Sequence, residues 1–289
     1  GSAAWLSRGK KIVIEDDIVT EITADEVSEE NFDEVFDGTG MVAMPGMTDA
    51  HVHMGCLFAK GEFPVDYATV LTVAKCKNAL MAGFTTFRDA GSVSEGLKLA
   101  FDEGVLPGPR IYPCGAYISQ TCGHGDSEYA HTYRDIQYRH PSSTVLADGV
   151  PEIIRAVREQ FYRGASHIKL MATEILNRHE DIRLLFGTDM MITGPDYQVE
   201  QSEDIRYYEK RFGTMRALRA LTGTANEVFA LTTYQNPYPK GKIGVLEAGS
   251  YADLLLVDGD PTKSVSVLAD TDHLRLIMKG GTVYKNTLC

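Results

Sequence analysis

The sequence predicts an α/β protein: a parallel sheet covered by helices, joined to a small β domain that both ends of the chain build. Three observations predict it. The middle of the chain alternates short apolar runs with amphipathic segments, as strand–helix units of a parallel sheet do. Both ends are β-rich without intervening helical pattern. The 289 residues suffice for one large α/β domain, alone or with a small second one.

At the N-terminal end, residues 11–22 (K-I-V-I-E-D-D-I-V-T-E-I) read as two β segments with a turn at Asp16-Asp17. At the other end, 242–245, 252–257 and 274–284 are β-rich, and Gly280-Gly281 stands where a tight hairpin turn belongs. Between them, strands are predicted near 42–53, 84–88, 110–118, 167–172 and 182–187, and helices over 65–82, 93–104, 150–163 and 214–230. In 150–163, Ile153, Ile154, Val157 and Phe161 recur at three- and four-residue spacing, an apolar stripe expected to pack on the sheet. The stretch 119–148, with T-C-G-H-G-D at 121–126, reads as a long loop. Loops over a parallel sheet's C-terminal edge are where such folds keep their chemistry.

Composition excludes several partners. A net charge of −12 with no basic cluster argues against nucleic acid, which needs Lys and Arg against phosphate. No run reaches the roughly 18 apolar residues of a membrane span, and no secretory leader is evident. Gly1-Ser2 reads as a cloning remnant. A soluble protein is expected, cytoplasmic, or periplasmic or secreted where a leader has been removed. Five scattered cysteines without a C-x-x-C pair suggest buried free thiols rather than disulfides or a thiolate zinc site.

The chemistry concentrates on four residues. His51 and His53, in M-P-G-M-T-D-A-H-V-H, are two apart on a predicted strand and leave the same face. Neutral imidazoles at a strand's C-terminal end are ligands for Zn²⁺ or a similar ion, although H-x-H alone also fits a satisfied half-buried pair. Asp189 follows L-L-F-G-T at another strand's exit. It can ligate a metal and move a proton, or simply cap a helix. Lys169 sits inside the apolar strand H-I-K-L-M-A, where a buried ammonium is costly. It either snorkels or pairs with a carboxylate, or reacts with carbon dioxide to become an anionic carbamate. His124, in G-H-G-D, would overhang the mouth and touch substrate or structure its loop. Tyr112, Tyr117 and Tyr129 line a pocket or pack.

Taken in order, M-P-G-M-T-D-A-H-V-H, A-G-F-T-T-F-R-D-A-G (82–91), H-I-K-L-M-A-T, F-G-T-D (186–189) and the tail G-K-I-G-V-L-E-A-G-S-Y-A-D-L-L-L-V-D-G-D-P (241–261) resemble the amidohydrolase superfamily. They are similar in particular to the prolidase-type metal-dependent amidases, Xaa-Pro dipeptidase-like and ochratoxin-hydrolysing. The resemblance implies a (β/α)₈ TIM-type barrel over 44–234 and a composite β-sandwich domain from 1–43 and 235–289. It implies two divalent metal ions, zinc by expectation, with His51 and His53 on one, Lys169 as its carbamate bridging both, and Asp189 completing the first site and relaying the proton. The implied reaction is cleavage of an amide or peptide-type C–N bond by metal-activated hydroxide. Dipeptides, N-acyl amino acids or an ochratoxin-like aromatic amide are the implied substrates, and a homo-oligomer the implied assembly. Related barrels also hydrolyse cyclic amides or deaminate.

The sequence departs from that pattern in its middle. A closed barrel needs eight units and typically about 250 residues, whereas Met44 to Thr233 is shorter and shows five convincing strands. Only 20 positions separate Lys169 from Asp189, less than one unit of ~30 residues. About three central strands, two of them ending in single histidines that ligate the second metal in the family, are not there. Glu174-Ile175-Leu176 follows M-A-T directly. Either the sequence closes over a gap near 173–178, or the deletion is real. The first is expected, because removing three central strands would expose a wide apolar edge. A real deletion would leave a catalytically inactive binding or scaffold protein, unless His167 or His179 were drafted as ligands. That is disfavoured, since His167 should lie a layer deeper than Lys169 and His179 at the opposite mouth.

Overall fold

The computed structural model describes residues 9–54, 65–91, 95–123, 125–126, 144–171, 183–191 and 197–288. The chain runs through β1 (Lys11–Glu15), β2 (Ile18–Thr23), β3 (Val42–Pro45), β4 (Met47–His53), α1 (Val65–Met81), β5 (Phe84–Asp89), α2 (Glu95–Asp102) and β6 (Arg110–Tyr112). It continues with β7 (Tyr117–Ser119), β8 (Thr144–Leu146), α3 (Gly149–Tyr162), β9 (Met190–Met191), α4 (Tyr197–Phe212), α5 (Thr214–Leu221) and α6 (Gly223–Phe229). Strands β10 (Leu254–Val257), β11 (Leu274–Lys279) and β12 (Thr282–Asn286) complete it.

Two kinds of sheet result. Strands β6-β5-β4-β9 form a parallel sheet, and β7-β8 a separate parallel pair joined by a bridge from Ile118 to Leu170. Strands β12-β11-β10-β3 form an antiparallel sheet that contains strands from both ends of the chain, and β1-β2 pair as a hairpin. Among the described residues the parallel strands do not close into a barrel. Strand β4 nonetheless has β5 on one side and β9, far later in sequence, on the other.

The predicted strand 42–53 is two strands in two sheets. β3 pairs with β10, whereas β4 pairs with β5, and the chain changes sheet at Gly46. There the Gly46 N–H donates to the Asp253 carbonyl (2.9 Å), and a Cβ would lie 2.2 Å from Thr85 Oγ1. Only glycine fits that crossing. Gly46→Ala is therefore expected to destabilise the chain by about 1–3 kcal/mol through overpacking. Urea unfolding at unchanged m-value measures it, and an unshifted midpoint would refute the crossing as drawn.

Period-two alternation divides the apolar residues of β10 between two cores. Leu255 and Val257 join the main core with β4, β5 and the helices, while Leu254 and Leu256 face the β1-β2 hairpin with Val19, Leu276 and Met278. At the β11-β12 turn, Gly280 and Gly281 both have positive φ (55° and 74°), as a two-residue hairpin turn of this type requires. One buried ion pair bolts the two sheets together. Arg110 of β6 donates from Nε (3.0 Å) and Nη2 (3.2 Å) to the Asp253 carboxylate, and stacks 3.9 Å over the Tyr251 ring.

Several expectations are corrected. Segment 110–118 is broken into β6 and β7 across Pro113-Cys114-Gly115, where Gly115 has φ +68°. Segment 182–187 is not a strand where described. It runs beside β4, with Ala50 N–H donating to Phe186 O (2.8 Å), and pairs regularly only from Met190. Helix 214–230 is two helices, because Thr222 (φ −134°, ψ −93°) breaks it before Gly223. Helix α4 went unpredicted, since its buried stripe starts with a polar residue, Gln201, ahead of Ile205 and Tyr208. In α3 the expected stripe is not the buried one. Ala156 and Gln160 are buried, Gln160 accepting the Ala116 N–H (2.9 Å), while Ile153 and Ile154 are exposed. Of the thiols, Cys76 and Cys114 are buried and free, but Cys122 is exposed.

Candidate metal centre

Strand β4 delivers two imidazoles to one place. His51 and His53 have ring centroids 5.3 Å apart; His53 is buried, His51 partly open. Segment 186–191 lies along β4, the Asp189 N–H donating to the His51 carbonyl (2.8 Å). That pairing carries Asp189 to the histidines: its Oδ1 lies 3.1 Å from His51 Nε2 and 3.2 Å from His53 Nε2. The ligand atoms of the three residues all lie within 4.8 Å of one another, the one such group among the described residues. Asp189 holds a left-handed backbone (φ +54°), uncommon for a non-glycine residue, of the kind that clusters at functional sites.

Lys169 arrives from the other parallel group. Its carbonyl accepts the Ile118 N–H (2.9 Å), which lays 168–171 beside β7 and brings Nζ to 3.1 Å from His51 Nε2. Burial, then the Lys169 ammonium, hold the His51 imidazole down to about pKa 4, so it is neutral at pH 7. A neutral imidazole is the form that binds metal. The rings of Tyr117 and His53 are perpendicular, with centroids 6.5 Å apart.

Beneath the histidines lies Asp49, completely buried. Its carboxylate accepts hydrogen bonds from His51 N (3.2 Å), Thr188 N (3.3 Å), Thr188 Oγ1 (2.8 Å) and Gln201 Nε2 (3.1 Å). Burial raises its pKa to about 7, against these four bonds, which lower it. Sequence reasoning did not single out Asp49, Thr188 or Gln201. The signal available was a carboxylate at the same parity as His51 and His53 within an apolar strand.

The other candidates fall elsewhere. His167 lies outside the ligand group, Nδ1 3.0 Å from Ser166 Oγ, its pKa pushed down to about 3 chiefly by burial. Tyr112 stacks on Phe229 at 3.8 Å and 7°, so it packs. His124, Tyr129 and 172–182, with His179, lie outside the described residues.

Comparison with known proteins gives this arrangement a context. The profile of the Amidohydrolase family matches residues 42–182. Ochratoxinase of Aspergillus niger is 34% identical over 152 residues, 46% of this chain and 31% of that protein. The chain thus spans about a third of the length of the curated relatives it matches. Among solved structures, a prolidase complexed with N-methylphosphonate-L-proline superposes with a TM-score of 0.81 at 22% identity, covering 96% of this chain and 95% of that one. The A. niger ochratoxinase structure superposes at 0.73 and 20% identity, over 96% and 91%. These likenesses show a TIM-barrel-like amidohydrolase fold. No described helix is long and apolar enough to cross a membrane. Just under half of the chain is thus similar to the Amidohydrolase family, and its fold is similar to those of a prolidase and an ochratoxinase.

Proposed function

We propose that this protein is a metal-dependent hydrolase of amide or peptide-type C–N bonds in small molecules. The observation that carries the reading is the convergence of His51, His53 and Asp189 within 4.8 Å, with Lys169 Nζ 3.1 Å from His51. The donor set suits a divalent ion: two imidazoles and a carboxylate are a common three-ligand set for Zn²⁺ that leaves a position open. An ion held there lowers the pKa of water and polarises the scissile carbonyl. The partly exposed His51 and largely exposed Asp189 face the substrate side, while His53 anchors the group from within. Asp189 carries the proton from water to the leaving amine, because its carboxylate is both at the ligand group and open to solvent.

A two-ion centre is the fuller form of this reading, with Lys169 carboxylated by carbon dioxide to a bridging carbamate. The ammonium gives up one proton to become an amine, and the amine nitrogen bonds the carbon of carbon dioxide and gives up a second, so a cation becomes an anion. The two further ligands, single strand-end histidines in the family, have no such counterpart between Lys169 and Asp189 in this sequence. The closed (β/α)₈ barrel over 44–234, the β domain from 1–43 and 235–289, a role for His124 in substrate contact and a homo-oligomeric assembly belong to the same proposal. Dipeptides ending in proline, N-acyl amino acids and ochratoxin-like aromatic amides are the substrates to test, by analogy with the prolidase and ochratoxinase neighbours.

The test pairs metal analysis with hydrolysis. The purified chain is expected to hold one to two zinc ions and to cleave at least one of those substrates, and a chelator should remove both properties. A folded chain that takes up no Zn²⁺ at micromolar concentration would overturn the reading.

A further inference from the structure

Asp49 stands apart from the ligand group yet touches the parts of the chain that carry it. It is wholly buried, so it meets neither bulk water nor substrate. Its acceptor capacity is spent on four donors from three separate elements: His51 on β4, Thr188 just before β9, and Gln201 on α4. Gln201 is itself buried, so this arm of α4 is fixed from inside. The residue after Thr188 is Asp189, whose backbone is left-handed and whose N–H donates to the His51 carbonyl (2.8 Å). A strained turn persists only where its surroundings over-determine it. Here Thr188 is gripped at both its N–H and its hydroxyl, one residue before the strain.

Resting on the metal-site reading above, we propose that Asp49 is a positioning residue. It sets the spacing between the β4 histidines and Asp189, so that the three ligands converge before an ion arrives. Thr188 is its arm toward Asp189, and Gln201 its anchor in α4. Such supporting hydrogen bonds fix ligand orientation, and their loss costs roughly 10–100-fold in metal affinity. Preorganisation of this kind needs the supporting groups locked, as burial locks Asp49 and Gln201.

The experiment uses the full chain with Thr188→Val, Thr188→Ser and Asp49→Asn. Val keeps the shape of Thr without its hydroxyl, and Ser restores the hydroxyl. Zn²⁺ affinity is measured by competition with a chromogenic chelator, and site geometry by the visible spectrum of the Co²⁺-loaded protein. Thr188→Val is expected to weaken Zn²⁺ binding about 10–100-fold and to change the Co²⁺ spectrum at saturation, with Thr188→Ser close to the parent in both. Asp49→Asn should reproduce the Val effect; where it does not fold, the Thr188 pair carries the test. Parent-like affinity and spectrum in Thr188→Val would overturn the positioning role while leaving the metal site standing. Failure of the parent itself to bind either ion would overturn both.

Discussion

Replacing Lys169 with Ala is expected to lower hydrolysis by about a thousandfold or more and to reduce bound metal, while the chain stays folded. The expectation comes from charge. The Lys169 ammonium stands 3.1 Å from the His51 nitrogen that would ligate an ion. Two like charges at such a distance repel by several kcal/mol at a partly screened site. The proposed carboxylation of Lys169 would replace that positive charge with an anionic oxygen ligand. Loss of several kcal/mol of transition-state stabilisation corresponds to the stated factor. Short carboxylic acids supplied in solution should partly restore activity to Lys169→Ala, since they return an anion to the same space. Activity and metal content equal to the parent would sink the carbamate, and rescue by a neutral amide of similar size would show that filling the space was what mattered.

Asp253→Ala is expected to destabilise the chain by about 3–5 kcal/mol, because it leaves the buried Arg110 guanidinium uncompensated. Besides Nε and Nη2 of Arg110, Asp253 accepts the Gly280 N–H (2.7 Å), so one carboxylate holds β6, the approach to β10 and the β11-β12 turn. Nearby, Lys279 is buried with its ammonium donating to the Gly108 carbonyl, and burial brings its pKa down to about 8. Removing the Asp253 charge also removes an attraction that favours charged Lys279. The loss should therefore appear as a lower urea midpoint, with the largest deficit below pH 8, where Lys279 is charged. Replacing the pair together, Arg110→Met with Asp253→Leu, should recover much of the stability, because two buried charges are then exchanged for apolar contact. A single variant as stable as the parent would show that solvent reaches the pair.

The metal-site candidates could be read from the sequence because their signals are local. H-x-H at strand parity, a lysine inside an apolar strand and a carboxylate at an apolar run's end each show in a few consecutive residues. Asp49 lies at the same parity within M-P-G-M-T-D-A-H-V-H, but its partners Thr188 and Gln201 lie more than a hundred positions away, so its network was invisible. Likewise the run 42–53 looks like one strand, since nothing local announces that Gly46 must pass within touching distance of Thr85. The polar stripe of α4 and the exposed Ile153 and Ile154 of α3 reverse the usual pattern for a common reason. What a helix face meets, here Asp49 for Gln201 and Ala116 for Gln160, is set by distant chain.

The amino-acid sequence alone determined the α/β class, most of the elements and the chemical identity of the donors, because periodicity and residue type are short-range properties. Only the tertiary structure decided that His51, His53, Asp189 and Lys169 meet, which strand changes sheet, and which buried carboxylate holds them. Those facts depend on pairings across 118 positions for Lys169 with His51 and 139 for Thr188 with Asp49. Side-chain distances of about 3 Å come from long-range register, which no local pattern encodes.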